Sequence, residues 1–460
     1  MKRQSAVLLA AAGVLALGRA EAGERTSIQG LGMARTYTAV SRGLDAAGIN
    51  PANLDADSAT VTLVLLPFGV HVGSDFLTYG LYTRYFTGVD GPDGRTARYL
   101  GDAEKQEILD AFPDGEGAVS ADAEARPLGL AVHVGGLGTV ALTMTERAAA
   151  DVRIPAQYVR FLLYGNPPGS VYDFSATSGN AWWTREYALT VATTLHGVLG
   201  LPTVSVGIGG KLVHGYGVAQ VTRFHSRLET GTDGVLRGTV DMESRAAGID
   251  PIAGGQDYSP FPDPAGEGVG IDLGLAAQLS PLLRVGLSVT DIGSITWSRN
   301  VRVAKAESSF VVDNPADASQ RDAIQHALQG DAHDGDPFTT PLPAMIRAGA
   351  SVELDQLEAL GRFIPGEMTV ACDLDQTLAE APGYLPGTRL ALGMEWRPWR
   401  FLPVRAGYSW GGTDHQNFAL GLGLHFGFFE LDLASENPGW LFAADSFSYA
   451  SASVGMKMRF

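Results

Sequence analysis

Four residues near the C-terminus have the side-chain types that catalysis or metal binding requires: His425, Glu430, Asp432 and Ser435. A hydrolase would need its Ser, His and carboxylate in register on neighbouring elements. The four residues lie in two consecutive segments whose apolar residues recur at every second position, which is typical of a β-hairpin. We interpret them as polar residues of a water-facing interior, because such a face accounts for them without any reaction.

The other residues whose side chains could catalyse a reaction or bind a metal form no motif. The nine histidines show no ligand spacing such as H-E-x-x-H. The glycine runs 207–210 and 421–423 are followed neither by a helical pattern nor by the Lys-Ser/Thr pair of a phosphate-binding loop. The acidic run 331–336 lacks the EF-hand spacing and its final Glu. The sequence therefore predicts no enzyme, no metal and no cofactor.

Charge and cysteine content exclude two further classes of protein. The chain has 460 residues, with 33 Lys and Arg against 50 Asp and Glu, and a net charge of −17. A nucleic-acid partner is not expected, because binding phosphates requires a basic surface. The single cysteine, Cys372, excludes a disulfide framework.

The first 22 residues have the features of an export signal. Lys2 and Arg3 precede the apolar stretch 6–17, and Ala20-Glu21-Ala22 supplies a small-x-small cleavage site. We therefore interpret residues 1–22 as a signal peptide, and the rest of the chain as exported from the cytoplasm.

Beyond residue 22, strict two-residue alternation recurs in segments of about ten residues. Between Asn417 and Phe426, for example, each large apolar residue is followed by a small or polar one. The apolar face could meet the core of a soluble β-sandwich or the lipid around an outer-membrane barrel. The C-terminal Phe460, together with aromatic residues grouped at segment ends, favours the barrel.

We therefore predict an all-β fold, a transmembrane antiparallel β-barrel of about 14 strands over residues 58–460. The strands are expected near residues 58–71, 125–134, 137–146, 184–195, 203–213, 269–278, 284–306, 342–354, 367–375, 389–396, 404–410, 417–425, 428–435 and 447–460. An even number leaves both termini on the periplasmic side and the long connections outside. Two points are open: a turn at 291–294 would split the seventh strand, and 218–243 could form a hairpin beyond the membrane.

The long connections lie at residues 72–124, 147–183, 214–268 and 307–341 and are expected to be extracellular. Within them, 102–112 and 155–164 have helical spacing of apolar residues, which predicts a cap over the barrel mouth.

Residues 23–57, before the first strand, carry a family resemblance. A short segment of small residues, Gly30-Leu31-Gly32-Met33-Ala34, leads to a turn with the sequence Gly48-Ile49-Asn50-Pro51-Ala52-Asn53. This pattern resembles the N-terminal hatch of FadL-like outer-membrane proteins. The segments 104–109, 162–166, 172–175 and 268–274 resemble an uncharacterised, PorV-like branch of that superfamily with a domain of unknown function. The resemblance implies a barrel in the outer membrane, plugged by the hatch at 23–57.

Two functions follow from this resemblance. The first is a channel or transporter for hydrophobic, fatty-acid-like small molecules. The second is a non-transporting barrel that docks a periplasmic or surface protein, as PorV-type proteins do, and the acidic outer segment 74–124 fits that role. In both cases, we expect outer-membrane lipid to surround the barrel.

The hatch is expected to be held by its turn and by charge. Pro51 lacks an N–H and disfavours helix at Asn50, so we expect a turn over Asn50, Pro51 and Ala52 that directs the plug into the lumen. Arg35 and Arg42 are expected to meet lumen carboxylates, or else to lie in water at the periplasmic rim. The residues that we place on the lumen face are Asp272, Arg347, Glu353, Arg389, Glu395, Arg405, His425, Glu430 and Asp432.

If this turn holds the hatch in place, Asn50→Ala with Pro51→Ala should loosen the plug and leave the barrel folded. We expect greater uptake of a bulky antibiotic by cells, while heat-modifiable migration on gels stays normal. A folded double variant that leaks no more than the wild type would show that the turn does not hold the hatch.

Overall fold

The computed structural model describes residues 26–91, 94–248, 262–314, 330–384, 387–412, 416–439 and 447–460, and the single residues 320, 322, 327 and 445. The predicted signal peptide at 1–22 and the first three residues of the predicted hatch lie outside these ranges.

Among the described residues, fourteen strands form one closed antiparallel barrel. They are β1 (Val61–Ser74), β2 (Glu116–Val134), β3 (Gly138–Pro155), β4 (Ser178–His196), β5 (Thr203–Thr230), β6 (Gly266–Gln278), β7 (Leu283–Trp297), β8 (Phe338–Pro341 with Met345–Glu353), β9 (Glu367–Thr377), β10 (Thr388–Trp399), β11 (Leu402–Gly411), β12 (Gln416–Phe426), β13 (Phe429–Glu436) and β14 (Tyr449–Arg459). Closure joins β14 to β1, from Thr62 opposite Arg459 to Gly73 opposite Tyr449. The all-β barrel prediction is confirmed.

The alternation read from the sequence separates the two faces of the wall. On β12, Phe418 and Leu422 are exposed on the outside, while Asn417 and Ala419 are buried inside. At the periplasmic end, aromatic rings stack in pairs, Phe401 with Phe426 and Phe428 with Phe460. This exposed apolar belt with an aromatic border is what a lipid-facing barrel surface requires. No helix within the described ranges is long and apolar enough to cross a membrane.

The seventh predicted strand was too long. The structure ends β7 at Trp297, and a separate strand, Arg302–Val312, follows it outside the barrel. The suspected turn at 291–294 is instead a bulge within β7, where Asp291 has a φ of 58° and the register to β6 shifts. A bulge adds one residue without ending the strand, which is why the local sequence resembles a turn.

The hairpin suspected within 214–268 is present. β5 continues far beyond the membrane and pairs with Leu236–Ala247, from Val218 opposite Ala247 to Thr230 opposite Leu236. Arg302–Val312 pairs with that strand, and Asp331–Asp334 pairs with Arg302–Lys305 in turn. The acidic run at 331–336 therefore begins as a sheet edge.

The remaining outer segments carry short helices and small strands. The helices are Tyr79–Tyr85, Asp102–Asp110 and Gln157–Tyr164, with a 3-10 turn at Pro113–Gly115 and small strands at Val89–Gly91, Gly94–Thr96 and Val171–Asp173. Both predicted loop helices exist. The second begins at Gln157, because Pro155 is the last residue of β3.

On the periplasmic side, most turns are short, with a 3-10 turn at Val198–Gly200 between β4 and β5. The turn between β8 and β9 is longer and contains two 3-10 turns, Leu354–Gln356 and Gly361–Phe363. Inside the barrel, the chain before β1 forms a helix at Ile28–Gly32 and 3-10 helices at Gly43–Ala46 and Pro51–Ala56.

Candidate functional site

The segment before β1 fills the barrel, and the wall meets it with glycines. In the described part of the barrel, eight strands place a glycine directly against this segment: Gly207, Gly274, Gly286, Gly349, Gly393, Gly407, Gly421 and Gly455. A Cβ at Gly407 would lie 2.2 Å from the Met33 carbonyl carbon, and one at Gly207 would lie 2.3 Å from that of Pro51. We call these eight residues the glycine ring. It lets the main chain of the plug lie directly on the wall, with no room for side chains between them.

The Asn50 turn is a junction between the plug and the wall. The Asn50 side chain is buried, accepts a hydrogen bond from the Ala52 N–H at 3.2 Å, and donates to the carbonyls of Thr38 (3.0 Å) and Leu275 (3.2 Å). Pro51 opens a 3-10 helix rather than following the end of one. A proline suits that first position because no helical partner for its N–H is needed there.

One polar attachment of the plug backbone to the wall was not predicted. The N–H groups of Tyr37 and Thr38 both donate to Asp373 Oδ2, each at 2.8 Å. Arg389 donates to the Ala34 carbonyl at 2.8 Å and also contacts Asp375 at 2.6 Å. Alternation places Asp373 and Asp375 on the inner face of β9, but the sequence does not indicate that their partner is the plug backbone.

The two plug arginines behave differently. Arg35 pairs with Glu436, its Nε and Nη2 each lying 2.9 Å from a carboxylate oxygen, and Glu436 was not among the expected partners. Arg42 is exposed to solvent, which agrees with the second alternative given for it, water rather than a lumen carboxylate. The opposite pairing, in which wall cations hold plug carboxylates, was missed: Lys457 contacts Asp45, and Arg459 contacts Asp57.

Of the four residues that first suggested chemistry, His425, Glu430 and Asp432 belong to an ion network beside the plug. Arg405 contacts Glu395 at 2.5 Å and Asp432 at 2.7 Å, and Gln29 of the plug donates to Asp432 at 3.0 Å. His425 lies 3.2 Å from Asp432. Ligand atoms of His425, Glu430 and Asp432 lie within 4.8 Å of one another, as in a metal site.

Cations of the wall already hold these carboxylates. Glu430 contacts Arg459 at 2.7 Å and Lys457 at 3.3 Å. The Ser435 hydroxyl donates to the Ser451 carbonyl at 2.8 Å. The geometry therefore supports a structural network rather than a metal or nucleophile site.

A second ion network lies on the inner wall next to the plug. Lys211 contacts Asp272 at 2.9 Å, Glu186 at 3.7 Å and Asp291. Arg147 lies 3.3 Å from Glu124, 3.0 Å from Glu186 and 3.4 Å from Asp291. We call these six residues the lumen ion cluster; all are buried.

Of that cluster, only Asp272 was predicted on the lumen face. Two further lumen predictions make other contacts: Arg347 donates to Thr290 at 2.7 Å, and Glu353, at the periplasmic end of β8, accepts from Thr369 at 2.6 Å. Arg147, Glu186 and Lys211 point inward according to the same two-residue alternation. Extending that alternation along their strands would therefore have identified them as lumen residues.

Beyond the lumen ion cluster, the lumen becomes apolar. The upper apolar cluster consists of Ala149, Trp182, Val213, Val218, Ala247, Ala265, Ile295, Trp297, Val301, Leu342, Ala381 and Tyr384. The rings of Trp182 and Tyr384 meet edge to face at 5.4 Å, and Trp297 donates to Thr340 at 2.8 Å. Tyr384 comes from the outer connection between β9 and β10, so a loop completes this cluster.

The barrel wall is interrupted between β1 and β2. Their ladder stops at Val64 opposite Gly129 and resumes in the same register at Phe68 opposite Ala125. The interruption contains Pro67 and Pro127, neither of which has an N–H to offer to a ladder. We call this stretch, Leu65–Pro67 with Arg126–Leu128, the wall window.

The window lies between the lipid belt and the plug. On the outside, Leu66 and Leu128 are exposed, and Leu66 has a φ of 42°, in the left-handed region. On the inside, Arg126 donates to the Leu44 carbonyl of the plug at 3.3 Å. At the wall window, the apolar exterior and the plug are therefore separated by a stretch of wall without ladder pairs.

The family comparison matches residues 51–436 with a family of unknown function, DUF5723. The chain belongs to this family. No relative was found among curated proteins.

One solved structure supports the FadL-like fold expected from the hatch. The DUF5723 chain is similar to a TodX ΔS2S3 mutant monoaromatic hydrocarbon channel, at 11% identity over 96% of this chain and 100% of that chain, with a TM-score of 0.50. It also resembles the toluene transporter TbuX of Ralstonia pickettii, at 12% identity over 93% and 98% of the two chains and a TM-score of 0.45. The toluene transporter TodX of Pseudomonas putida matches at 11% identity, over 97% and 100%, with a TM-score of 0.45.

The glycine ring predicts that a single methyl group can unseat the plug. In Gly207→Ala, the new Cβ would lie 2.3 Å from the Pro51 main chain, so we expect the plug to shift, stability to fall by about 1–3 kcal/mol, and leakage of a bulky antibiotic to rise. Gly210→Ala on the same strand meets nothing within 4 Å and is the matched control. Equal antibiotic resistance in the two folded variants would contradict the role of the ring.

Removing the lysine of the lumen ion cluster should be costly. Lys211→Met leaves Asp272, Asp291 and Glu186 buried without it, and breaking such a buried pair costs about 3–5 kcal/mol. Lys305→Met breaks an exposed pair with Glu243 at 3.3 Å and should cost at most about 1 kcal/mol. Urea unfolding, followed by loss of heat-modifiable migration, measures both. A Lys211→Met barrel as stable as Lys305→Met would refute the argument.

Proposed function

We propose that this chain is an outer-membrane transporter for hydrophobic small molecules, and that its ligands leave the lumen through the wall window. The hatch at residues 23–57 then acts as a fixed plug within the barrel of residues 58–460, after residues 1–22 have directed export. The observation that carries the proposal is the interrupted β1–β2 ladder beside a closely seated plug.

The plug makes an axial route unfavourable. Its main chain contacts the wall through the glycine ring, and its backbone N–H groups are held by Asp373. Moving it aside would separate these contacts and remove the plug partners of wall charges such as Glu436 and Lys457, which costs several kcal/mol for each charge that stays buried. A lateral route through the window separates the contact from Arg126 to the Leu44 carbonyl but leaves the glycine ring and Asp373 in place, and it leads directly into the apolar belt.

The composition of the upper apolar cluster supports the proposal that the ligand is hydrophobic. Trp182, Trp297 and Tyr384 are buried in this cluster, so a ligand that enters it must part these side chains; it would then meet aromatic surfaces, which bind apolar rings by area and by edge-to-face contact. Below them, the lumen ion cluster has four carboxylates for two cations, which disfavours an anionic ligand. We therefore propose neutral hydrophobic molecules rather than fatty acids. The TodX protein similar to this chain is described as a monoaromatic hydrocarbon channel, and toluene is the probe that we choose.

Restoring the N–H donors of the window should close it. In Pro67→Ala with Pro127→Ala, both strands can complete their ladder, so we expect slower uptake of labelled toluene by cells that express the chain. Pro281→Ala, in the periplasmic turn before β7, removes a proline without touching the window and should leave uptake unchanged. Heat-modifiable migration verifies that each barrel is folded.

Two results would count against the proposal. Wild-type uptake in the folded double variant would eliminate the window as the route. Cells with the wild-type chain that take up toluene no faster than cells without it would eliminate transport of this probe altogether.

The second of these results would favour the alternative function, a barrel that docks a periplasmic protein. One observation supports that alternative: the long periplasmic turn between β8 and β9 leaves Phe363 71% exposed, with Arg362 placed over its ring at 4.7 Å. Purification from cross-linked cells would then be expected to yield a stoichiometric partner.

A further inference from the structure

One outer helix displays an aromatic face that the barrel itself leaves uncovered. In the helix Tyr79–Tyr85 and the residue after it, Tyr79, Tyr82 and Phe86 are 47%, 47% and 50% exposed. Their spacing of three and four residues places them on one side of the helix. On another side, Tyr85 is buried and donates to Glu107 at 2.6 Å. We call Tyr79, Tyr82 and Phe86 the rim stripe.

The helix is fastened to the rim of the barrel where β14 and β1 meet. The Tyr79 N–H donates to the Phe447 carbonyl at 3.0 Å, and the Gly80 N–H donates to the Asp445 carbonyl at 2.9 Å. The rings of Tyr79 and Phe447 stack at 5.5 Å. Thr78 caps the helix by accepting from the Leu81 N–H at 3.1 Å. The position of the stripe is therefore set by the wall rather than by a long, loosely attached loop.

The length of β14 gives the height of this attachment. The strand has 11 residues, and it ends next to Phe460 in the periplasmic aromatic border. A tilted strand of about 9–11 residues crosses the hydrocarbon layer. Tyr449, at the other end of β14, is thus at the outer boundary, and Phe447 and Tyr79 lie just beyond it. Tyrosine favours this level, because its ring prefers apolar surroundings while its hydroxyl prefers water.

The stripe also continues an apolar surface that already faces lipid. β1 exposes Phe68 and then Val72 on the outside of the barrel, and the helix begins five residues after β1 ends. Three large half-exposed aromatic residues in water would form an unusual apolar patch, whereas at this level they prolong the lipid-facing belt. We propose that the helix Tyr79–Tyr85 lies in the outer membrane boundary, with the rim stripe inserted among outer-leaflet lipids.

A site-directed spin label can test this placement directly. In a Cys372→Ser background, a nitroxide is attached at Tyr82→Cys or, as a second position on the same face, at Phe86→Cys. The matched control is Arg95→Cys in the neighbouring hairpin, whose side chain is well exposed. Each folded variant is reconstituted into phosphatidylcholine vesicles. Collisions of the label are then compared between oxygen, which concentrates in lipid, and a water-soluble nickel chelate.

We expect an oxygen-to-nickel collision ratio several-fold higher at positions 82 and 86 than at position 95. Ratios at 82 and 86 equal to the ratio at 95 would overturn the proposal, whether the stripe then faces water, another protein or a ligand. Since the measurement involves no uptake, its result does not depend on whether the barrel transports toluene.

Discussion

Close contact between the main chain of the plug and the main chain of the barrel wall is the constraint on which the rest of this structure depends. The glycine ring brings the wall backbone against the plug backbone, at separations that a single Cβ would prevent. Polar groups of the plug backbone must then be satisfied by the wall, as in the hydrogen bonds from the Tyr37 and Thr38 N–H groups to the Asp373 carboxylate. The glycines therefore determine where the plug lies, and the plug determines which wall charges can be buried.

The charges within the barrel follow from this arrangement. A plugged lumen has little water to solvate Arg405 or Lys211, so each of these cations is surrounded by carboxylates from several strands. Such networks add little net stability over apolar packing, but they tolerate few alternatives, because shifting one strand would leave charges without partners. They thus help to specify the register of the wall and the seating of the plug.

Much of the fold, but less of the site, could be predicted from the sequence. A period of two residues identifies strands and their inward faces, and this was sufficient for a barrel of fourteen strands and for inward residues such as Arg389 and Asp432. It says nothing about which inward residues meet across the lumen. Glu436 as the partner of Arg35, and Lys457 as that of Asp45, depend on the packing of distant segments. Likewise, the window is visible only once Pro67 and Pro127 are known to be neighbours.

The fastening of the plug to the final strand has a consequence for biogenesis. Asp45 and Asp57 belong to the first part of the chain, whereas their partners Lys457 and Arg459 are among its last residues. During synthesis, the N-terminal segment therefore emerges long before its binding site exists, and contacts of such high sequence separation form late. The plug must be kept from premature association until β14 has been made and delivered. Barrel closure and complete docking of the plug are thereby linked, because the last ion pairs of the plug can form only once β14 is in place.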